Sequence, residues 1–114
     1  MKVEVKLVVF FNKEYYGKEA YCCYCPALRA FYTDKTFNVC VDYIRGRLIR
    51  ELEHRIHYKN LKILGWEVSE NSAKPPIFAD EDAVLLTERS YEVKIKEPII
   101  IKVDVELPKS RKRW

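Results

Sequence analysis

Two periodicities divide this chain. From Lys2 to Phe11, the apolar residues Val3, Val5, Leu7, Val9 and Phe11 alternate with Lys2, Glu4 and Lys6, which predicts a strand with one buried face. Val8 and Phe10 make its second half apolar on both sides, as expected of a strand that is central or covered. Residues 12–18 (NKEYYGK) predict a hairpin turn in which Gly17 is free to take a positive φ. A second strand runs through Cys25 and ends at Pro26, which has no N–H to give a ladder, and a short third one follows at Ala30-Phe31-Tyr32. The period then changes. Phe37, Val41, Ile44, Leu48, Leu52 and Ile56 recur every three or four residues, as on one face of a helix, while Arg45, Arg47, Arg50, Glu51, Glu53 and Arg55 fall mostly opposite. With Thr36 as N-cap, this helix runs to about Tyr58, a rod about 30 Å long at 1.5 Å per residue.

After the helix, NLKILGW (residues 60–66) predicts a last helical turn closed by Gly65, from which Trp66 and Val68 extend away. SENSAKPP, residues 69–76, has linker composition. DEDAVLLTER, residues 80–89, predicts a short helix whose leading acids and closing Arg89 suit the helix dipole. From Tyr91 to Leu107 alternation returns, interrupted at Pro98 by a bend, a bulge or a break between two strands. Lys102, Asp104 and Glu106 would complement Lys2, Glu4 and Lys6 if the terminal strands pair, within one chain or between two. The expected architecture is α+β, in the order β-β-β-α: an antiparallel sheet of three to four strands packed on one long helix. A short helix and one or two added strands follow. The chain divides into a core at 1–68, a linker at 69–79, a helix-plus-strand extension at 80–108 that completes the sheet or a dimer interface, and a tail at 109–114.

Composition alters this picture in two places. The chain of 114 residues carries 21 basic and 17 acidic groups, yet Lys109, Arg111, Lys112 and Arg113 alone account for the net charge of +4. The body is therefore neutral and lacks the basic excess of a dedicated nucleic-acid domain; the basicity is a tail, which reads first as a solvated terminus. The four cysteines, Cys22, Cys23, Cys25 and Cys40, do not form the two separated pairs that a tetrahedral zinc site needs, and in a cytosolic chain they read as reduced, buried small hydrophobes. On a strand, Cys23 and Cys25 share one side with Tyr21, while Cys22 and Tyr24 take the other. His54 and His57 have no ligand motif around them, so no metal or cofactor is expected. With an apolar content of 48% and no leader or membrane-span pattern at the N-terminus, the expectation is a cytoplasmic globular protein.

The order of elements, together with the phrase Tyr24-Cys-Pro-Ala-Leu28, resembles the HicB-like antitoxin family, whose domain is a truncated RNase H fold. Phe31-Tyr32-Thr33 and Lys35-Thr36 stand where that family turns into its helix, with Asp34-Lys35-Thr36 in place of its Gly-Asp-Thr and Asn38-Val39 in place of an acidic pair. Leu64-Gly65-Trp66 and Lys74-Pro75-Pro76 are similar to longer members. The resemblance covers residues 2–68 and implies a domain that neutralises a HicA-like, RNA-cleaving protein partner, which is small and basic. It does not extend to operator binding, because a single later helix followed by strand excludes a helix-turn-helix and reverses the order of a ribbon-helix-helix.

Hydrolysis of the RNase H type needs a carboxylate cluster holding two metal ions. Here Glu4, Asp34, Asp42, Asp80, Glu81, Asp82 and Asp104 are scattered over a strand start, a turn, helix starts and a strand face. The sequence thus points to a non-catalytic protein-interaction module that forms a homo-dimer or higher oligomer by strand addition. Tyr15 and Tyr16 in the hairpin and Tyr24, Pro26 and Leu28 in the family phrase are its candidate partner-binding residues. The alternative is a nucleic-acid-binding protein that uses Lys109, Arg111, Lys112, Arg113 and Trp114 for phosphate contacts and one stacking ring.

Overall fold

The computed structural model describes residues 2–15, 17–69 and 72–106, with only the backbone of Glu14 and Tyr15. The fold is α+β. Strands β1 (Lys2–Tyr15), β2 (Lys18–Cys25) and β3 (Ala30–Asp34) lead into helix α1 (Phe37–His57). A single turn of 3₁₀ helix (Leu61–Leu64) follows, then the short strands β4 (Glu67–Val68) and β5 (Ala73–Lys74), helix α2 (Asp80–Tyr91) and strand β6 (Ile99–Glu106). The main sheet has the order β3-β2-β1-β6, and every neighbouring pair in it is antiparallel.

The alternation in β1 sets the layers. Val3, Val5, Leu7 and Val9 point to one face, where they join Cys23, Cys25, Val103 and Val105 and meet Cys40, Val41, Ile44, Leu48, Leu52 and Ile56 of α1. On the opposite face Val8 and Phe10 are also buried, because α2 lies there: the rings of Phe10 and Tyr91 meet edge to face at 5.2 Å. The doubly apolar half of β1 is the half covered on both sides. Lys6 anchors the entry to α2 by donating from Nζ to the Phe78 carbonyl at 2.7 Å and to Asp80 Oδ1 at 2.8 Å.

Local signals explain the element ends. The Thr36 hydroxyl accepts from the Val39 N–H at 3.3 Å and caps α1. At the other end Lys59 takes φ 54°, a left-handed conformation, and the Asn60 N–H returns to the Arg55 carbonyl at 3.0 Å. Gly65, at φ 90°, closes the 3₁₀ turn. Trp66 then turns inward instead of extending away, and its Nε1–H donates to the buried Ala27 carbonyl at 2.7 Å. That bond ties the end of the α1 segment to the turn after β2. No helix among the described residues is long and apolar enough to cross a membrane.

Three expectations are revised. The hairpin turn is tighter than residues 12–18: pairing resumes at Tyr15↔Lys18 after a register shift beyond Asn12↔Ala20, with Gly17 at φ 77°. Asn12 and Lys13 are polar because this ribbon projects past the sheet into solvent, and polarity alone does not make a turn. In the 69–79 stretch, β5 pairs with β4 through Glu67↔Lys74 and Val68↔Ala73, and Ala73 is buried, so this part packs on the core and is no free linker. Tyr91 is the last residue of α2, not the start of a strand. It lies four residues after Thr87 and eight after Ala83, the buried positions of that helix, so its helical spacing outweighs an alternation with Val93 and Ile95. Glu92 takes φ 56° at the helix end, and the Glu88 carboxylate one turn earlier accepts the Ile95 N–H at 2.8 Å, so a loop carries the chain past Pro98 into β6.

Leu48 is fully buried between α1 and the sheet. Leu48→Ala should lower unfolding free energy by about 2–5 kcal/mol in urea titrations, with little change from Ile49→Ala next to it, whose side chain is exposed.

Candidate interaction surface

Strand β6 lies at the edge of the sheet. Its inner side is fully paired, from Lys2↔Glu106 to Val9↔Ile99, so the two terminal strands pair within one chain. Its outer side has no strand beside it among the described residues. The period of two gives the strand two different faces. Val103 and Val105 are buried toward α1, and Ile101 and Ile99 continue that apolar row outward until Ile99 is 44% exposed. On the other face Lys102 and Asp104 stand in solvent, with Lys102 Nζ 4.0 Å from Glu4 Oε1. That contact joins two exposed groups and adds little stability.

β1 runs on past Val9, where β6 stops. Beside this overhang the loop before β6 encloses a groove of about 530 Å³, lined by Phe11, Lys13, Tyr21, Lys94, Lys96 and Ile99 among others. Phe11 and Ile99 are each 44% exposed there. Three lysines against the single carboxylate of Glu97 leave the lining of this groove net positive.

The residues singled out in the sequence lie elsewhere. Tyr24, Pro26 and Leu28 are buried within this chain, Leu28 completely, so they serve the interior and present little side-chain surface to a partner. The phrase that carries the family resemblance is accounted for by packing under the Trp66 bond. Tyr15 lies in β1, but its side chain, all of Tyr16, and Lys109, Arg111, Lys112, Arg113 and Trp114 fall outside the described residues. Ile99, Ile101, Lys102 and Asp104 were visible as a strand that could pair with another. Lys94 and Lys96 were missed as groove residues because that segment read as strand.

Among the described residues the titratable groups singled out in the sequence are held separately. Asp34 accepts from the Tyr32 hydroxyl at 3.1 Å and from the Lys35 N–H at 2.7 Å, while Asp80 and Glu4 are engaged by Lys6 and Lys102. His54 and His57 both pack against Tyr58, tilted and edge to face respectively, with ring centroids 4.7 and 4.8 Å apart. Among the described residues no group of three or more His, Cys, Asp or Glu side chains is placed to hold a metal ion. All four cysteines are buried free thiols. Burial pushes Cys25 from 9.0 up to about 11, against the lowering effect of the Leu28 and Ala27 backbone. No family model, curated protein or solved structure matches the chain.

The raised Cys25 thiol makes stability depend on alkaline pH. Below about 9 the thiol is protonated in both folded and unfolded chains and contributes no slope; between 9.0 and about 11 the unfolded chain loses that proton and the folded one keeps it. Stability should therefore fall as pH rises through this window, by about 2–3 kcal/mol for this group. Cys25→Ala should flatten the slope of unfolding free energy over the same range.

Proposed function

We propose that the chain is a non-catalytic protein-interaction module, resembling a HicB-like antitoxin domain, that associates with a second copy through β6 and masks a protein partner. The observation that carries the reading is the charge pattern along the open β6 edge. Two copies that continue one sheet must pair residues of the same face, so the twofold axis passes through a single residue. With the axis at Val103, Lys102 of each copy stands opposite Asp104 of the other, and Ile101 opposite Val105. An axis at Lys102 would set the two lysines against each other, and one at Asp104 would set the two aspartates together while bringing Lys102 opposite Glu106. One register satisfies both faces.

The β1-β2-β3-α1 order with its Thr36 cap supports the kinship with the antitoxin domain. A small, basic, RNA-cleaving protein of the HicA-like kind is the partner this reading assigns. The exposed acids Glu81 and Asp82 on α2 are a surface of complementary charge for it.

Light scattering on the full-length chain tests the self-association, which requires a species of twice the 13.6 kDa chain mass. Lys102→Glu would set a carboxylate against Asp104 of the other copy twice over, and should raise the dimer dissociation constant roughly tenfold. Within one chain the same change gains Lys6 across the ladder and loses the 4.0 Å contact with Glu4, a pair of exposed groups that adds little stability. Adding Asp104→Lys should restore association, since it recreates the pair with reversed sign and also faces Glu4 within the chain. A monomer at every concentration, or a double variant no better than the single one, overturns the β6 interface. For the partner, a tagged chain should retain a small basic protein stoichiometrically at high salt; nucleic acid lost on deleting residues 109–114 would replace the reading.

A further inference from the structure

Cys23 on β2 and Cys40 in the first turns of α1 face each other across the layer between sheet and helix. Their sulfur atoms are 2.7 Å apart, and both side chains are fully buried. Even unbonded carbon atoms keep roughly 3.5–4.0 Å between them, whereas a disulfide bond is about 2.05 Å long. Cys40 is further positioned by two carbonyls, Tyr32 at 3.4 Å and Tyr21 at 3.5 Å, which flank it from β3 and β2. The remaining cysteines are set apart from this pair. Cys22 is on the opposite face of β2, near Thr33 and Tyr91, and Cys25 lies against the backbone of Ala27 and Leu28.

We infer that Cys23 and Cys40 are a covalent cross-linking site, closing a disulfide between β2 and α1 by exchange with a small disulfide oxidant of the glutathione-disulfide class. In the first step the Cys40 thiolate attacks one oxidant sulfur, the oxidant's S–S bond breaks, and the departing thiolate takes up a proton. In the second the Cys23 thiolate attacks the mixed disulfide at Cys40 and displaces the second oxidant thiolate, which is likewise protonated. Two protein thiols are oxidised by two electrons, and one oxidant disulfide is reduced to two thiols. The balance is the same with Cys23 attacking first, since either sulfur of the contact can be the donor.

Burial decides when this occurs. An oxidant cannot reach either sulfur in the closed fold, so exchange proceeds through openings that part α1 from β2, or before the helix docks. Once the bond has closed, the same burial shields it from reductants. The residues lie 17 apart, so the link shortens the unfolded chain's freedom and fastens the start of α1 to the sheet.

The full-length chain is treated with glutathione disulfide, denatured, alkylated and digested with trypsin, with a reduced sample alongside. Expected are two alkylated thiols instead of four, and a linked pair of peptides spanning residues 19–29 and 36–45 that separates on reduction. Because the first peptide holds three cysteines, Cys→Ser variants assign the bond. Cys22→Ser and Cys25→Ser should keep the link, and Cys23→Ser and Cys40→Ser should lose it. Oxidation should raise the melting temperature of the wild type by roughly 10 °C and leave Cys40→Ser unchanged. Four alkylated thiols after treatment, a link that persists in Cys23→Ser, or a link without a rise in melting temperature overturns the inference. Should Cys23→Ser fail to fold by circular dichroism, fragment-ion sequencing of the wild-type linked peptides gives the same decision.

Discussion

Everything else in this molecule depends on the burial of one strand from both sides. β1 pairs with β2 along one edge and β6 along the other, while α1 covers one face and α2 the upper half of the other. A strand so placed cannot slip by one residue, because a slip would turn Val3, Val5 and Lys6 to the wrong sides at once. The fixed register of β1 in turn fixes β6, whose eight pairs with β1 run unbroken from Glu106 to Ile99. The two ends of the chain are thus held together by the most non-local pairing in the fold. The N-terminal strand is not complete as a central strand until the C-terminal one arrives.

How much of this was legible follows from which physical signal each segment carries. Where one face is buried and the other wet, as in the first half of β1 or along α1, the period reads out directly, and the α1 core positions from Val41 to Ile56 are those the spacing assigns. Cys40 also belongs to that core and lies four residues before Ile44, but a thiol does not announce itself as apolar. The signal is ambiguous where two periods fit the same residues: Tyr91 satisfies both a strand alternation and a helix spacing, and the helix spacing prevails with its ring packed against Phe10 and Phe31. It fails where composition stands in for geometry. SENSAKPP reads as a linker, yet Ser69 and Ser72 bond to each other through backbone and hydroxyls, and Ala73 is drawn into the core.

The candidate surface was legible in part for the same reason. An edge strand and a central strand have the same alternation, so the sequence marks Ile99 to Glu106 as a strand able to pair on two sides without saying which sides are filled. The structure supplies the missing term: one side is taken by β1, and the other has no strand beside it among the described residues. By contrast, the Tyr24-Cys-Pro-Ala-Leu28 phrase that carries the family resemblance is a packing motif in this chain. Leu28 is buried and Ala27 receives the Trp66 indole. A short motif shared for reasons of folding is weaker grounds for a shared partner than one shared on a surface.

The thiol pair and the open edge act on opposite sides of the sheet, and this separates their consequences. Cys23 sits on β2 and Lys102 on β6, with β1 between them, so the two strands are about 10 Å apart at a spacing of about 4.8 Å per step. At about that distance free-energy changes at independent sites add to within a few tenths of a kcal/mol, and α1 is the neighbour the two sites have in common. Closing Cys23 to Cys40 stiffens the contact between α1 and β2 but leaves the β1–β6 ladder, and hence the edge presented to a second copy, as it was. The link therefore raises the cost of unfolding the domain without setting its affinity for itself. A coupling between them has two routes: β1, whose register nothing short of unfolding can change, and α1, which rests on Cys23 and on Val103 and Val105 through its buried face.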